Sequence, residues 1–308
     1  MEKNTLSQPQ ERRQSMLLTG SGGMLGSYIR EVMRGWNITG LSRRASDSDI
    51  ACDLTRTVPA LPASGFDLVV HAAGTRDAAR AVELNLEGTR RLLSALETAP
   101  PRAFVFISDA AVYGRTDGED IDEESAIFAA DKVGQSKILA EREVTAWCAA
   151  RGVTLTILRP VAMFGDGVGG EMAELFREVT SGRYVHLRGN EARLSVVTAL
   201  EVALAVKAVW SAGGIYNVAD GRNPRLIELA EAMSANAGAR RRMWHLPPRW
   251  AAVLRHIPGA GTMLDADRME RRSRTLTFSA GKLMSTGWTP RDTLAVIARE
   301  DTTYPYRE

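Results

Sequence analysis

The chain has 308 residues, 44% of them hydrophobic and 25% charged, which excludes a disordered, fibrous or small disulfide-stapled protein and leaves room for a large core with an appended lobe. Lysine and arginine number 39 against 37 acidic residues, a formal charge of +2, too balanced for a nucleic-acid or membrane-surface partner held by bulk charge. Cys52 and Cys148 are too few and too far apart for a disulfide framework or a zinc site, so no metal is expected and a reducing, cytoplasmic setting is.

Residues 1–14 form a polar extension that lacks the apolar core of a signal peptide. From residue 15, β-rich runs alternate with helical patterns: SMLLTG, a helix from about Met24, WNITGLS, FDLVVHAAG, a long helix near 78–98, AFVFIS, a long helix near 131–150, and VTLTILRP. Parallel strands need crossover connections, so this alternation predicts an α/β fold, a Rossmann-type doubly wound parallel sheet over 15–165. Residues 166–308 read as a smaller, mixed C-terminal substrate-binding lobe interleaved with the last sheet strands. In it fall a helix from Met172 to Ser181, the strand YVHL, the strand IYNVAD and the helix LIELAEAMSANAG. LSVVTALEVALAVKAVW, from Leu194 to Trp210, carries Glu201 and Lys207 and is too short to span a membrane; it reads as a strand running into a packed helix.

Two basic stretches follow. ARRRMWHLPPRWAAVLRHIPG, from Ala239 to Gly259, is either a substrate lid or a solvated charge run ahead of a packing helix. Arg268, Arg271, Arg272 and Arg274 have helical spacing at first and then β character; they could neutralise a diphosphate, although Asp265, Asp267 and Glu270 offset them.

The first strand ends in TGSGGMLG, with Gly20, Gly23 and Gly26 three apart and a helical pattern following. Glycines permit a tight turn and let backbone N–H groups reach a diphosphate, whose charge also suits a helix N-terminus, so this is a dinucleotide cradle. Ser21, Met24 and Leu25 share the turn and are counted with it. At the end of the second strand, where NAD-selective folds place an acid, stand Ser42, Arg43 and Arg44. A hydroxyl and two guanidinium groups suit a 2′-phosphate and favour NADP(H) over NAD(H), unless the arginines are merely solvated.

These glycines are followed by CDL (52–54), HAAG (71–74), NLEGTRRLL (85–93), ISDAAVYG (107–114), GQSKILAE (134–141) and LRPVAMFG (158–165). Further on come RLSVVTALEVA (193–203), IYNVADG (215–221) and SAGKLMSTGWTPR (279–291). With them the chain resembles the extended short-chain dehydrogenase/reductases, and among them the NAD(P)-dependent epimerase/dehydratase family acting on nucleotide sugars. The resemblance implies Asp53 and Leu54 at the adenine, Ala72, Ala73 and Gly74 along the dinucleotide, and Arg159 and Pro160 among the cofactor contacts. It implies Asn85 inside a helix that supports the site, Arg193 at the substrate diphosphate, Tyr113 beside the substrate, and a homodimer paired through the two long helices. His71, at the end of a buried strand, reads as a satisfied core histidine; His186, His245 and His256 have no metal-ligand spacing.

In that family a tyrosine carries the proton of the reacting alcohol, a lysine four residues later holds the nicotinamide ribose, and an upstream serine or threonine orients the carbonyl. Lys137 is present, but the tyrosine position is Val133 and the serine position is Asp109, with Ser108 one residue earlier. Three readings follow. Asp109 replaces the missing acid, beside Lys137 and Ser108; or the protein binds NAD(P) without turnover, as a sensor or assembly partner; or Tyr113 acts from a displaced position. Burial disfavours a carboxylate's charge and a neighbouring cation favours it, so sequence leaves the role of Asp109 open. The substrate expected is a nucleotide sugar, with a sterol-like or flavonoid-like ketone as the alternative.

Overall fold

A computed structural model describes residues 13–44, 49–165, 170–236, 243–247 and 266–299. β1 (Ser15–Thr19) leads through α1 (Met24–Val32) to β2 (Asn37–Ser42), β3 (Ile50–Ala51) and β4 (Leu68–His71). A π-helical segment, Val82–Glu87, then runs into α2 (Gly88–Ala95). β5 (Ala103–Ile107), a 3₁₀ turn at Ala110–Tyr113, β6 (Gly118–Ile121), α3 (Lys132–Arg151) and β7 (Thr154–Pro160) follow. Next come β8 (Ala162–Phe164), α4 (Glu171–Thr180), β9 (Val185–Leu187), β10 (Val196–Thr198), α5 (Ala199–Val209), β11 (Gly214–Val218) and α6 (Leu226–Asn236).

The strands form a seven-stranded, all-parallel sheet in the order β11-β7-β5-β4-β1-β2-β3. Strand order reverses between β1 and β4, and the crevice above such a reversal is where α/β sheets bind ligands. Successive side chains of a strand face opposite ways. Met16 and Leu18 of β1 pack with Leu68, Val70 and Val105 on one face, under α1 and α5. Leu17 packs with Val69, Phe104 and Phe106 on the other, under α2 and α3. A third apolar cluster, around Leu175, Tyr184, Leu229 and Met233, belongs to the C-terminal lobe.

The doubly wound sheet expected from the sequence is therefore present, with α5 and β11 returning to it after the lobe begins. Leu194–Trp210 is a strand and packed helix as read, and among the described residues no helix is long and apolar enough to cross a membrane. In Ala239–Gly259 only part is described: Trp244–Leu246 is a strand, β12, paired with β9. The helix expected after the Pro-Pro step lies outside the described residues. The helix near 78–98 departs from expectation by opening in π geometry. Asn85, within that turn, donates to the Thr75 carbonyl (3.0 Å) and to Ser136 Oγ (2.9 Å) and accepts the Thr75 N–H (2.8 Å). Single π turns of this kind cluster at functional sites.

His71 links the sheet to this helix. Thr89 Oγ1 donates to the Asn85 carbonyl (2.6 Å), so it can only accept from His71 Nε2, 2.9 Å away. Nδ1 is then the acceptor for the Thr19 hydroxyl at 2.6 Å, and Thr19 Oγ1 in turn accepts the Ala73 N–H. The imidazole is fully buried, and burial, aided by Lys137, pushes its pKa down to about 3. The unfolded chain binds a proton near pH 6.5 that the folded chain refuses, so stability falls as pH drops below about 6.5. His71 should remove about 2 kcal/mol between pH 7.5 and 5. Urea midpoints at the two pH values should show His71→Gln losing that much of the wild-type slope; identical slopes would contradict the assignment.

Candidate cofactor and substrate sites

The glycine turn is built for backbone. Gly20 has φ +70, and a Cβ there would lie 2.8 Å from Ala73 N and 2.9 Å from the Ala72 carbonyl carbon. A Cβ on Gly26 would lie 2.2 Å from the Gly20 oxygen, so α1 can approach β1 this closely only with glycine. Gly23 caps α1 in extended geometry with no side-chain cap bond, and no acid stands in the first turn. The first N–H groups of α1 are thus left for an anion. Above them opens a cleft of about 710 Å³, lined by the turn, Ser42–Arg44, Cys52–Thr55 and Ala72–Thr75, with Arg80 and Leu84 on its edge. A cradle without side chains at a helix N-terminus, continuous with a cleft of this size, fits NAD(P).

Asp53 Oδ1 accepts the Thr55 hydroxyl (2.7 Å) and N–H (3.0 Å), which hold its carboxyl below its usual range. Ser42 Oγ donates to the Arg44 carbonyl at 2.5 Å, ordering the β2 exit. Asp49 turns away behind the strand, paired with Arg30 Nη2 at 2.8 Å and accepting the Gly40 N–H at 2.9 Å. Arg43 and Arg44 are exposed at the cleft, where no carboxylate follows β2 directly.

At the chemical end, Asp131 caps α3 by accepting the Val133 and Gly134 N–H groups at 2.9 Å. Gly134 lets the helix press on the 3₁₀ turn, because a Cβ would meet Ala129 Cβ at 2.4 Å and the Ala111 oxygen at 2.9 Å. Val133, Lys137 and Glu141 are four apart and share one helix face. Lys137 Nζ donates to the Ile107 carbonyl at 2.8 Å and lies 5.1 Å from the Phe106 ring centre. Burial lowers its pKa to about 8, against the opposing pull of Asp109 and Glu141. Asp109 accepts the Ala111 N–H through Oδ1 (2.9 Å) and Arg76 through Oδ2, from Nε at 3.0 Å and Nη2 at 2.7 Å. A carboxylate paired with a guanidinium occupies the place where the resemblance expects a hydroxyl, and Val133 carries no proton.

Several expected site residues lie elsewhere. Ser108 Oγ donates to Glu141 Oε1 at 2.5 Å and is buried, so it does not face a substrate. Arg159 is 1% exposed and is held by Glu141, Nε to Oε1 at 3.0 Å and Nη2 to Oε2 at 2.7 Å, so its guanidinium, like the buried Pro160 ring, belongs to the core and is not open to a cofactor. Tyr113 is equally buried, donating to Asn217 Oδ1 (2.7 Å) and accepting from Arg159 Nη1 (3.0 Å), which removes it both as substrate contact and as displaced acid. Ser21 and Leu25 point their side chains into the protein, Met24 packs on the core and Gly26 supports the turn from behind, so what this stretch offers the cleft is backbone, the first N–H groups of α1 included. Sequence reading missed Thr75, Arg80 and Leu84 in the cleft lining and Arg76 beside Asp109. The HAAG motif that ends just before Thr75 and Arg76 was the available signal.

A second cavity, about 180 Å³, lies in the C-terminal lobe between Arg115, Arg193, Arg271, Arg272 and Arg274, over Met172, Leu175 and Leu226. Arg193 Nη1 donates to the Asn223 carbonyl at 3.0 Å. The Arg272 side chain is 10% exposed, and Nη1 donates to Glu178 Oε2 at 2.6 Å. Its Nε and Nη2 are buried without a hydrogen-bond partner, Glu171 Oε1 standing 3.8 Å from Nε. Buried guanidinium donors left open beside a cavity call for an anion. Among the described residues no group of three His, Cys, Asp or Glu is placed to hold a metal.

The model of the NAD dependent epimerase/dehydratase family matches residues 16–219. The N-acetyl-alpha-D-glucosaminyl-diphospho-ditrans,octacis-undecaprenol 4-epimerase of Escherichia coli O157:H7 is 25% identical, across 91% of this chain and 92% of its own. The GDP-6-deoxy-D-mannose reductase of Pseudomonas aeruginosa is 26% identical, across 72% and 79%. Among solved structures, RMD from Pseudomonas aeruginosa complexed with NADPH superposes with a TM-score of 0.67 at 22% identity, covering 92% of this chain and 98% of that one. With the parallel sheet and the glycine cradle, the family match establishes that the chain belongs to the NAD dependent epimerase/dehydratase family, NAD(P)-dependent enzymes of the extended short-chain dehydrogenase/reductases.

Proposed function

We propose that the protein is an NADP(H)-dependent enzyme that oxidises or reduces a carbon of a nucleoside-diphosphate sugar, with Asp109 as its proton carrier in place of the tyrosine. The observation that carries the substrate class is Arg272, which shares a cavity with Arg193 and whose buried Nε and Nη2 have no hydrogen-bond partner. A diphosphate supplies the missing acceptors, and the curated relatives are an epimerase of a diphospho-linked sugar and a GDP-sugar reductase. Arg43 and Arg44, exposed at the cleft, support the 2′-phosphate. NADP(H), when bound, accepts or donates the hydride. Lys137, its Nζ donating to the Ile107 carbonyl, would hold the nicotinamide ribose, and Asp109, oriented by Arg76 and the Ala111 N–H, would accept the alcohol proton on oxidation and return it on reduction.

A second reading, a dinucleotide and nucleotide-sugar binding protein without turnover, is favoured by the same carboxylate. Both Asp109 oxygens already accept N–H bonds, and Val133 offers nothing in compensation.

Calorimetry separates the binding claims from the chemistry. Arg43→Ala/Arg44→Ala should weaken NADPH about tenfold and leave NADH unchanged, since charge-assisted contacts to the 2′-phosphate are all that it removes; equal affinities of the wild type for the two cofactors would contradict the preference. Arg272→Gln should weaken UDP or GDP binding at least about tenfold, through loss of the buried donors. Turnover of a nucleotide-sugar panel, followed chromatographically, should fall by about a hundredfold or more in Asp109→Asn with NADPH affinity intact. A wild type that binds both ligands and converts none of the panel would support the binding protein.

A further inference from the structure

We propose that Arg80 is a cofactor-binding residue, which grips the dinucleotide's diphosphate from the wall of the cleft opposite Arg43 and Arg44. The proposal rests on the NADP(H)-binding reading above and adds to it a contact that does not discriminate between the two cofactors.

Placement comes first. Arg80 ends the loop that leaves β4 and lines the same cleft as Gly20, Gly22 and Gly23. In the sheet, β1 lies between β4 and β2, so the glycine turn at the end of β1 separates the Arg80 loop from the Ser42–Arg44 exit. In doubly wound folds the diphosphate rests on that turn, and the adenosine ribose lies toward the second strand. An arginine arriving from the β4 side therefore flanks the diphosphate and stands away from a 2′-phosphate.

The loop is ordered for the purpose. Asn85 brackets Thr75, accepting its N–H at 2.8 Å and donating to its carbonyl at 3.0 Å. Thr75 Oγ1 accepts the Asp77 N–H at 3.1 Å, and Asp77 Oδ1 accepts the Ala79 N–H at 3.0 Å. The Asp77 carbonyl then accepts the Arg80 N–H at 3.0 Å. The backbone beneath Arg80 is tied at each step, while its exposed guanidinium makes no hydrogen bond or ion pair with a described residue. A guanidinium fork presented from an ordered backbone suits an oxyanion pair.

The charge inventory points the same way. The turn offers N–H donors and the end of a helix dipole, and no cation of its own. Nearby positive side chains are engaged: Arg30 with Asp49, Arg76 with Asp109, and Lys137 with the Ile107 carbonyl. The acid in the cleft, Asp53, accepts from Thr55. Among the described residues that line this side of the cleft, Arg80 is the cation left to neutralise a diphosphate.

The test is calorimetric titration of the full-length protein with NADPH, NADH and ADP-ribose, which share the diphosphate and differ in the 2′-phosphate and nicotinamide. Arg80→Gln should weaken all three about equally, by roughly tenfold, while Arg80→Lys, which keeps the charge, recovers most of the affinity. Unchanged affinity for all three in Arg80→Gln overturns the proposal. So does a loss confined to NADPH, which would place Arg80 on the 2′-phosphate. Equal losses in Arg80→Gln and Arg80→Lys would indicate a disturbed loop and also overturn it. A wild type that binds none of the three defeats the cofactor reading itself, an outcome distinct from wild-type binding that Arg80→Gln leaves untouched.

Discussion

The arrangement of this protein hangs on one buried ion pair, Arg159 with Glu141, whose side chains are 1% and 7% exposed. Isolating two charges from water is costly, and the pair is tolerable only because its remaining hydrogen-bonding capacity is met. Glu141 Oε1 accepts Ser108 as well as Arg159, and Arg159 Nη1 donates to Tyr113, whose hydroxyl passes its own proton to Asn217. Asn217 closes the chain by donating to the Ile121 carbonyl at 3.1 Å. Five elements meet there, the 3₁₀ turn, β6, α3, β7 and β11, with Ser108 joining from just past the end of β5. The pair thereby sets the rotation of α3 against the sheet, and the residue one turn before Glu141 on that face is Lys137. Lys137 reaches the Ile107 carbonyl, and Val133 stands one turn further on, because Glu141 is locked below them.

That constraint explains how the site keeps its shape while its chemistry differs from the family pattern. Nothing in the lock requires an aromatic hydroxyl at 133. Its side-chain partners are Ser108, Tyr113 and Asn217, none of which touches Asp109 or Arg76 through a hydrogen bond. The two charged residues instead satisfy each other at the surface of the same framework, the Arg76 side chain being 47% exposed and that of Asp109 11%. A carboxylate held this way differs in kind from a phenol, since both its oxygens accept N–H bonds and its cation is fixed beside it.

The sheet and the cradle were legible in the sequence because their causes are local. Unbroken apolar runs in SMLLTG and AFVFIS, which a strand buried on both faces requires, and glycines spaced three apart each act within a few residues. What escaped was long-range pairing. Arg76 and Asp109 are 33 positions apart, and no periodicity couples them. Arg159 sits in a motif whose resemblance suggested a cofactor contact, and its true partner, Glu141, reads in GQSKILAE as an ordinary exposed helix acid, since carboxylates are seldom buried unless paired. Tyr113 was drawn toward the substrate by its neighbours in AAVYG, while its hydroxyl was already committed to Arg159 and Asn217. The π turn at Val82–Glu87 was equally invisible, because Asn85 selects it through Thr75 and Ser136, the latter 51 residues away.

These differences separate two kinds of requirement within one site. Dinucleotide binding is demanded of the backbone: Gly20 must adopt positive φ, Gly26 must admit another chain segment within contact distance, and the first turn of α1 must keep its N–H groups free. A side chain substituted at those positions collides with main-chain atoms that the sheet holds in place, so such changes are opposed by the fold itself. The residues at the positions of the family's hydroxyls answer to side chains instead: Asp109 is tied to Arg76 and to the Ala111 N–H, and no main-chain approach depends on Val133. The residues at these two positions can therefore vary without disturbing the dinucleotide cradle: Val133 and Asp109 stand where the resemblance expects hydroxyls, the glycine turn is intact, and the ion pair of Arg159 and Glu141 keeps α3 in register with the sheet.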